Sequence, residues 1–278
     1  MNNLSLMTNV QAVVNTEKNT DDKIKILVVF NRIGDFRDKI YQGFLDEIGD
    51  VALVDLYVQQ MDKSTASHFD KTINEKIARY DYIAIMLHSS HLSEDVLKVV
   101  NTIPREKLLI LDKRNQFIKG EYACVYQDFE GDILTALNQA LPLLEKYSGI
   151  NLISSQNYPF AHCISNALSQ FAKQHHFDFH FYTEVNQTTI RSEEAYLILS
   201  EQYLADTIKI TQELGYQLGV DIGLVSYHDS PLKEILAGGI TVVTTDHAQL
   251  GRSAASLILT NKKEHIRNPF LFIQRASL

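Results

Sequence analysis

Short apolar runs alternate along the chain with longer segments whose apolar residues recur at helical spacing. In the first half this pattern predicts five strands, at 23–30, 51–58, 82–86, 107–112 and 123–128, and helices near 36–48, 64–79 and 93–102. Such alternation is typical of βαβ units, so it indicates a mostly parallel sheet with helices on both faces.

A second series of the same kind follows a long amphipathic helix, predicted over 129–147 with Asp128 as its N-cap. It comprises strands at 150–154, 177–183, 195–199, 222–227, 240–246 and 270–274, and helices around 159–175, 201–214 and 247–260. We therefore expect an α/β protein with two doubly wound, parallel-sheet lobes and a ligand cleft between them. The N-terminal lobe is predicted to comprise 23–127 and 247–268, and the C-terminal lobe 128–246 and 269–278.

Polar and aromatic residues cluster where the predicted strands end. Open α/β sheets bind ligands outside the carboxyl ends of their strands, so loops of both layers can face one ligand. The predicted ligand-binding residues are Asn31, Arg32, Asp35, Phe36, His88, Ser89, Asp112, Gln127, Tyr158, Phe160, His162, His228, Asp229 and Asp246.

Each of these clusters also has a purely structural interpretation. Asp35 could cap the following helix instead of binding a polar ligand. The two imidazoles of LHSSH (87–91) are spaced like helical metal ligands, but they lie in a loop without a third ligand nearby, so a hydrogen-bonding or N-capping role for the serines is favoured.

The segments NYPFAH (157–162) and YHDS (227–230) also allow two interpretations. The first could cover the C–H face of a sugar with Tyr158 or Phe160 while His162 donates a hydrogen bond, or it could pack as a hydrophobic staple. In the second, His228 could point into the cleft while Asp229 or Ser230 caps the helix opened by Pro231.

Composition narrows the classes of partner. A formal charge of −8 gives this segment no broad attraction for phosphate backbones, so we do not expect it to bind nucleic acid or a membrane. Two distant cysteines argue against a disulfide framework or structural zinc, which fits a cytoplasmic protein. The first 22 residues lack the features of a secretory signal. No nucleotide-binding, metallopeptidase or serine-hydrolase motif is present, so we expect neither catalysis nor a cofactor.

The stretch after Gly219 resembles the effector-binding domain of the lactose-repressor (LacI/GalR) family, a periplasmic-binding-protein-like domain. The resemblance rests on a strand ending in YHDS, the helix PLKEILAGG, the strand ITVVTTD, the helix HAQLGRSAASLIL and the final P-x-x-x-x-x-R-x-S. It extends more weakly back to Lys23. The stretches FNRIGDFRDKIYQGFLDEIG and ACVYQDFEGDILTALNQALPLLEKY look closest to regulators that carry this domain after a GntR-type winged helix, which implies a DNA-binding module before residue 1 and a linker over 1–22.

The resemblance implies a dimeric, cytoplasmic transcription regulator that binds a small ligand, most often a sugar or sugar derivative, between its lobes. A pocket that combines Phe36, Tyr158 and Phe160 with few charges is compatible with a monosaccharide or deoxysugar such as fucose, and a phosphorylated sugar or a nucleobase are the alternatives. The chain departs from the family at His228, where many members have the first of two acids, and at Ile164, where they have an arginine; His162 could replace that arginine. A periplasmic sugar-binding protein of a transporter is the alternative, and an enzyme on the same scaffold is a third possibility.

Overall fold

The computed structural model describes residues 23–59, 61, 64–87 and 92–278. The chain folds into two α/β units, called layers below. Each layer is one six-stranded sheet with helices on both of its faces. The first layer contains β1 (Ile24–Phe30), α1 (Asp35–Ile48), β2 (Ala52–Val58), α2 (Ala66–Ile77), β3 (Tyr82–Met86), α3 (Glu94–Thr102), β4 (Leu108–Asp112), β5 (Ala123–Tyr126), α8 (His247–Leu259) and β11 (His265–Arg267).

The second layer contains α4 (Phe129–Leu144), β6 (Gly149–Ile153), α5 (Ala161–His175), β7 (Phe181–Tyr182), β8 (Glu194–Ile198), α6 (Glu201–Glu213), β9 (Ile222–Tyr227), α7 (Pro231–Ile235), β10 (Thr241–Thr245) and β12 (Phe270–Ile273). The predicted fold class is confirmed. The lobe boundaries stay a prediction, although each sheet draws its strands from the segments assigned to one lobe.

Both sheets have the same strand order. The first runs β2-β1-β3-β4-β5-β11 and the second β7-β6-β8-β9-β10-β12. Neighbouring strands are parallel except for β10 and β12, which are antiparallel. In each order the direction of progression reverses beside the first strand, and such switch points are where open α/β sheets bind ligands.

The apolar runs of the sequence form the cores on the two faces of each sheet. In the first layer, α2 and α3 cover one face, while α1 and α8 cover the other. Helices α1 and α8 approach so closely that a Cβ atom on Gly43 would lie 2.2 Å from the carbonyl oxygen of Ala248, and one on Gly251 2.0 Å from that of Ile40. In the second layer, α4 and α5 cover one face and α6 covers the other.

Three crossovers connect the layers, at Gln127–Asp128, at Asp246 and at Asn268–Pro269. The Asn268 side chain donates to the carbonyl oxygens of Asp246 and Pro269 at 3.0 and 3.1 Å, and its backbone N–H donates to that of Tyr126 at 2.8 Å. These bonds hold the crossovers side by side. Beside them, Arg267 at the end of β11 pairs with the buried Asp132 of α4 at 2.7 Å, so an ion pair also joins the layers.

Two elements differ from the sequence prediction. The strand predicted over 177–183 shortens to β7, with a single bridge at Asp178, because most of this edge segment is only partly covered. Strand β11 was not predicted, since three residues without an apolar alternation give no periodic signal. No helix in the described part of the chain is long and apolar enough to span a bilayer.

Candidate functional site

A cavity of about 140 Å³ lies at the carboxyl ends of the strands, where the two layers face each other. Its wall comes from the loop after β1, the end of β4, the first crossover, the β6–α5 connection, the end of β9 and the start of α8. The lining residues are Arg32, Phe36, Asp112, Gln127, Phe129, Tyr158, Pro159, Phe160, Ile164, Tyr227, His228 and His247. A more open groove of about 460 Å³ on the second layer has no charged lining residue and lies beside α6, away from these strand ends.

Half of the predicted ligand-binding residues line this cavity: Arg32, Phe36, Asp112, Gln127, Tyr158, Phe160 and His228. Asn31 lies next to them without lining the cavity, and His162 is exposed on α5. His88 and Ser89 lie outside the described residues, and of Asp35 only the backbone, at the start of α1, is described. Contact of any of these residues with a ligand stays a prediction.

Asp229 and Asp246 have structural partners outside the cavity. The predicted cap on the helix at Pro231 is not formed: Ser230 is the N-cap residue and makes no side-chain bond, while the Asp229 carboxylate pairs with Arg275. Asp246 caps α8 by accepting from the Gln249 N–H at 2.9 Å.

Sequence reasoning missed five lining residues: Phe129, Pro159, Ile164, Tyr227 and His247. Pro159, Tyr227 and His247 are next to or between predicted site residues, and Phe129 lies two residues after Gln127, so strand-end position was the available signal. Ile164 occupies a place where the resemblance gives an arginine, and it contributes an apolar surface instead.

Aromatic rings form most of the wall. The Phe129 and Phe160 rings stack with their centres 3.8 Å apart, and the Phe36 ring lies 5.4 Å from that of His228 and 5.0 Å from that of His247. Flat apolar faces next to a few fixed polar groups suit the C–H face and the hydroxyl groups of a sugar.

Burial moves the pKa values of two polar members of the wall further away from neutral pH. It lowers the pKa of His247 to about 4, so the imidazole is neutral. It also raises the pKa of Tyr158 to about 12, so the phenol keeps its proton. Each group can therefore donate one hydrogen bond and accept another.

Asp112 is the carboxylate of the wall, and it is 1% exposed at the end of β4. The Gln127 side-chain amide donates to Asp112 Oδ1 and accepts from the Thr245 hydroxyl. The backbone N–H of Gln127 also donates to the Asp112 carbonyl oxygen at 2.9 Å. This buried network links β4 of the first layer, through a crossover, to β10 of the second.

The end of β9 is held by charged groups from outside the cavity. Lys233 of α7 is buried, and its ammonium group donates to the carbonyl oxygens of Tyr227 and His228 at 3.1 and 2.9 Å. It also pairs with Glu201 at 3.2 Å. Burial lowers the pKa of Lys233, while Glu201 opposes that shift. Lys233 therefore fixes the backbone from which His228 extends.

Asp229 and Arg275 add a second fixed pair behind His228. The guanidinium nitrogens lie 2.9 and 3.0 Å from the two carboxylate oxygens, and one of them also donates to the Ile240 carbonyl oxygen at 2.9 Å. The Arg275 pKa is raised by its hydrogen bonds to Asp229. Parallel bonds of this kind are directional and strong, so they orient the strand end.

Three residues of the wall have left-handed backbone: Asp112 with φ 73°, Phe160 with φ 64° and His228 with φ 64°. Residues with a Cβ adopt this conformation at a cost, and it persists where the surroundings hold it in place. The networks around Asp112 and His228 are such surroundings. Within the described residues, no group of three or more histidine, cysteine, aspartate or glutamate side chains is placed to hold a metal ion.

Comparisons with solved structures find the same arrangement of layers in bacterial regulators. The trehalose repressor of Escherichia coli superposes with a TM-score of 0.69 at 16% identity, over 90% of this chain and 99% of the other. A LacI family transcriptional regulator from Enterococcus faecium with bound ribose gives 0.66 at 17% identity, over 91% and 98%. A LacI family regulatory protein from Chloroflexus aggregans gives 0.72 at 13% identity, over 91% and 98%.

The chain has the LacI-type, periplasmic-binding-protein-like fold. The resemblance seen in the sequence is thereby confirmed at the level of the fold. No protein-family model matches the chain, and a search of curated proteins gave no match either. These neighbours give no support to the finer resemblance to GntR-type winged-helix regulators, which stays an expectation from the sequence.

Proposed function

We propose that this chain is the ligand-sensing part of a bacterial transcription regulator and binds a small sugar in the cavity between its layers. The observation that carries the proposal is the wall of stacked rings around one buried carboxylate, placed where the strand ends of both layers meet. The bound ribose of the Enterococcus faecium neighbour, which shares the fold, supports a sugar as ligand.

The size of the cavity favours a monosaccharide, such as fucose or another single sugar ring. Pockets for drug-sized ligands measure about 300–1,000 Å³, well above the 140 Å³ of this cavity. In this proposal the rings of Phe36, Tyr158 and Phe160 cover the sugar face. Asp112 accepts from a sugar hydroxyl, since Gln127 donates to its other oxygen and keeps it oriented.

Ligand binding would act on DNA indirectly, through the relative position of the two layers. A ligand that contacts both layers binds one arrangement better and so increases its population. We propose that the functional unit is a cytoplasmic homodimer that contacts DNA through a separate module, because the −8 charge of this chain does not favour duplex binding. Catalysis is no part of this proposal.

The proposal is tested by thermal unfolding of the chain in the presence of a panel of monosaccharides. A sugar that binds only the folded state at a hundred times its Kd stabilises that state by about 2.7 kcal/mol. Asp112→Asn should abolish the shift for the same sugar, while the exposed Asp50→Asn should retain it. If no monosaccharide shifts the unfolding transition of the unmodified chain, the proposal is wrong.

A further inference from the structure

The guanidinium group of Arg37, in the first turn of α1, is buried and makes no hydrogen bond to any residue that the structure describes. Its side chain is 1% exposed, and none of its three nitrogens has a partner among the described residues. Lys233, the other buried cation of the described residues, has two carbonyl oxygens and a carboxylate as partners. A buried guanidinium without hydrogen-bond acceptors is costly, and Asp112 acts on it through its charge alone, so Arg37 lacks an acceptor among the described residues.

Arg37 lies directly behind the cavity wall. The centre of its guanidinium is 4.3 Å from the centre of the Phe36 ring, and that ring lines the cavity together with His228 and His247. Its charge also reaches the wall, because Arg37 contributes to the lowered pKa of His247 while the carboxylate of Asp112 acts on Arg37. Arg37 does not itself line the cavity and its nitrogens are buried, so a ligand acceptor reaches its in-plane N–H donors only where the Phe36 side chain moves aside.

Besides Arg37, two further cations lie in or next to the described lining of the cavity. Arg32 lines the cavity, and the Lys113 ammonium lies 4.7 Å from the centre of the Phe160 ring. Among the lining residues, the negative charge comes from Asp112, whose carboxylate already accepts from Gln127. Burial, with Arg32 next to it, lowers the pKa of Arg37 to about 10, which still leaves the group charged at neutral pH.

We propose that the effector carries an acidic group, a carboxylate or a phosphate on a monosaccharide-sized molecule, and that Arg37 pairs with this group. The inference rests on the proposed function and specifies the class of sugar. The acidic group supplies the hydrogen-bond acceptor that Arg37 lacks among the described residues, while the rings and Asp112 hold the neutral part of the molecule. Arg32 contributes to the same positive end of the cavity.

The first experiment measures binding by calorimetry with matched sugars: glucose, galactose and fucose against glucuronate, galacturonate, glucose 6-phosphate and galactose 6-phosphate. We expect at least one acid to bind about tenfold or more tightly than its neutral parent, the scale of a hydrogen bond to a charged group. The uronate and phosphate arms identify the kind of acid. Binding of a neutral sugar as tight as that of its acids overturns the inference and leaves the proposed function standing. Absence of binding by every sugar overturns both.

The second experiment uses Arg37→Met, with the exposed Arg79→Met as the matched control. Without ligand, Arg37→Met should unfold at the same or a higher temperature than the parent, since an unpaired buried charge has been removed. It should also lose about tenfold or more in affinity for the acidic sugar, and keep its affinity for the neutral parent. Arg79→Met should change neither.

A purely structural role for Arg37 predicts the reverse pattern: a lower unfolding temperature and equal losses for acidic and neutral sugars. That pattern overturns the inference. Arg37→Lys keeps the charge but not the planar fork, so it should bind the acid with intermediate affinity. If Arg37→Met does not fold, the affinities of Arg37→Lys and the results of the sugar panel together test the inference.

Discussion

The two walls of the cavity hold their charged groups in opposite ways. On the second layer, Lys233 and Arg275 are both paired within the chain, and together they fix the strand end that presents His228. On the first layer, Arg37 is buried behind Phe36 without a hydrogen-bond partner among the described residues. The difference indicates that the second-layer wall is complete without a ligand, whereas the first-layer wall reaches its full set of interactions only when a ligand supplies an acceptor.

The largest expected effect comes from removing the pair behind His228. Arg275→Ala leaves Asp229, which is 19% exposed, without its two charge-assisted bonds, so we expect a loss of about 3 kcal/mol in the free energy of unfolding. Urea unfolding measures it. Glu234→Gln is the control, because Glu234 is exposed and lies 3.7 Å from the same arginine; it should change stability by less than about 0.5 kcal/mol.

A double-mutant cycle shows whether the effect belongs to this pair. Asp229→Ala should cost about as much as Arg275→Ala, and the double variant little more than either alone. Additive losses would mean that the two residues act separately, and the second-layer wall would then not be fixed in the way described.

His228→Ala is expected to affect binding more than stability. It should weaken binding of the sugar found in the thermal screen by about 1–3 kcal/mol, the scale of a lost buried hydrogen bond, because the imidazole lines the cavity while Lys233 continues to hold the backbone. Calorimetry measures the affinity. His68→Ala serves as the imidazole control, since His68 is exposed on α2, does not line the cavity and should bind like the parent. Parent-like binding by His228→Ala would remove His228 from the site.

His247, which lies in the first-layer wall, should make the free energy of unfolding depend on pH. Above the ordinary pKa of 6.5 the imidazole is neutral in both the folded and the unfolded protein. As the pH falls from 6.5 towards 4, the unfolded chain takes up a proton that the folded protein does not, so the free energy of unfolding decreases by up to about 1.4 kcal/mol per pH unit.

Urea unfolding at a series of pH values tests this dependence on His247→Gln. The variant should flatten the decrease, whereas the exposed His68→Gln should leave it unchanged. Equal slopes for His247→Gln and the parent would show that His247 does not cause the pH dependence.

The smallest expected effects on stability come from removing the helix N-caps at the crossovers. Here the loss should be similar for the two layers. Asp128 caps α4 of the second layer by accepting from the Gly131 N–H at 3.3 Å, and Asp246 caps α8 of the first layer at 2.9 Å. Asp128→Ala and Asp246→Ala should each cost about 1 kcal/mol in thermal or urea unfolding. A much larger cost for either would indicate that its carboxylate does more than cap a helix.

Local signals in the sequence were sufficient to predict most of the strands and helices and part of the candidate site. Strands β3 and β9 begin and end at the predicted residues, and Asp128 forms the predicted cap, because both depend on neighbours within a few positions. Their positions at predicted strand ends likewise indicated Arg32, Asp112 and His228 as site residues, and all three line one cavity. Most strands and helices of each layer therefore follow from periodicity and turn chemistry, with β11 as an exception.

Interactions between distant residues could not be predicted in this way. Asp229 was expected to cap a helix, but its partner Arg275 lies 46 residues further along the chain. The short edge strand β11 pairs with β5 across a separation of more than 130 residues and has no apolar pattern of its own. The unpaired state of Arg37 is likewise a property of the assembled wall, which no local pattern contains.

The order in which the strands occur along the chain has a consequence for biosynthesis. Both sheets take an edge strand from the last fourteen residues, β11 for the first and β12 for the second, and Ser277 bonds to Leu224 and Thr241 beyond them. Translation must therefore pass β11 before the first sheet has all its strands, and β12 before the second has. Until then, the emerging chain holds two incomplete sheets with open edges, which makes it a natural client for chaperones during translation.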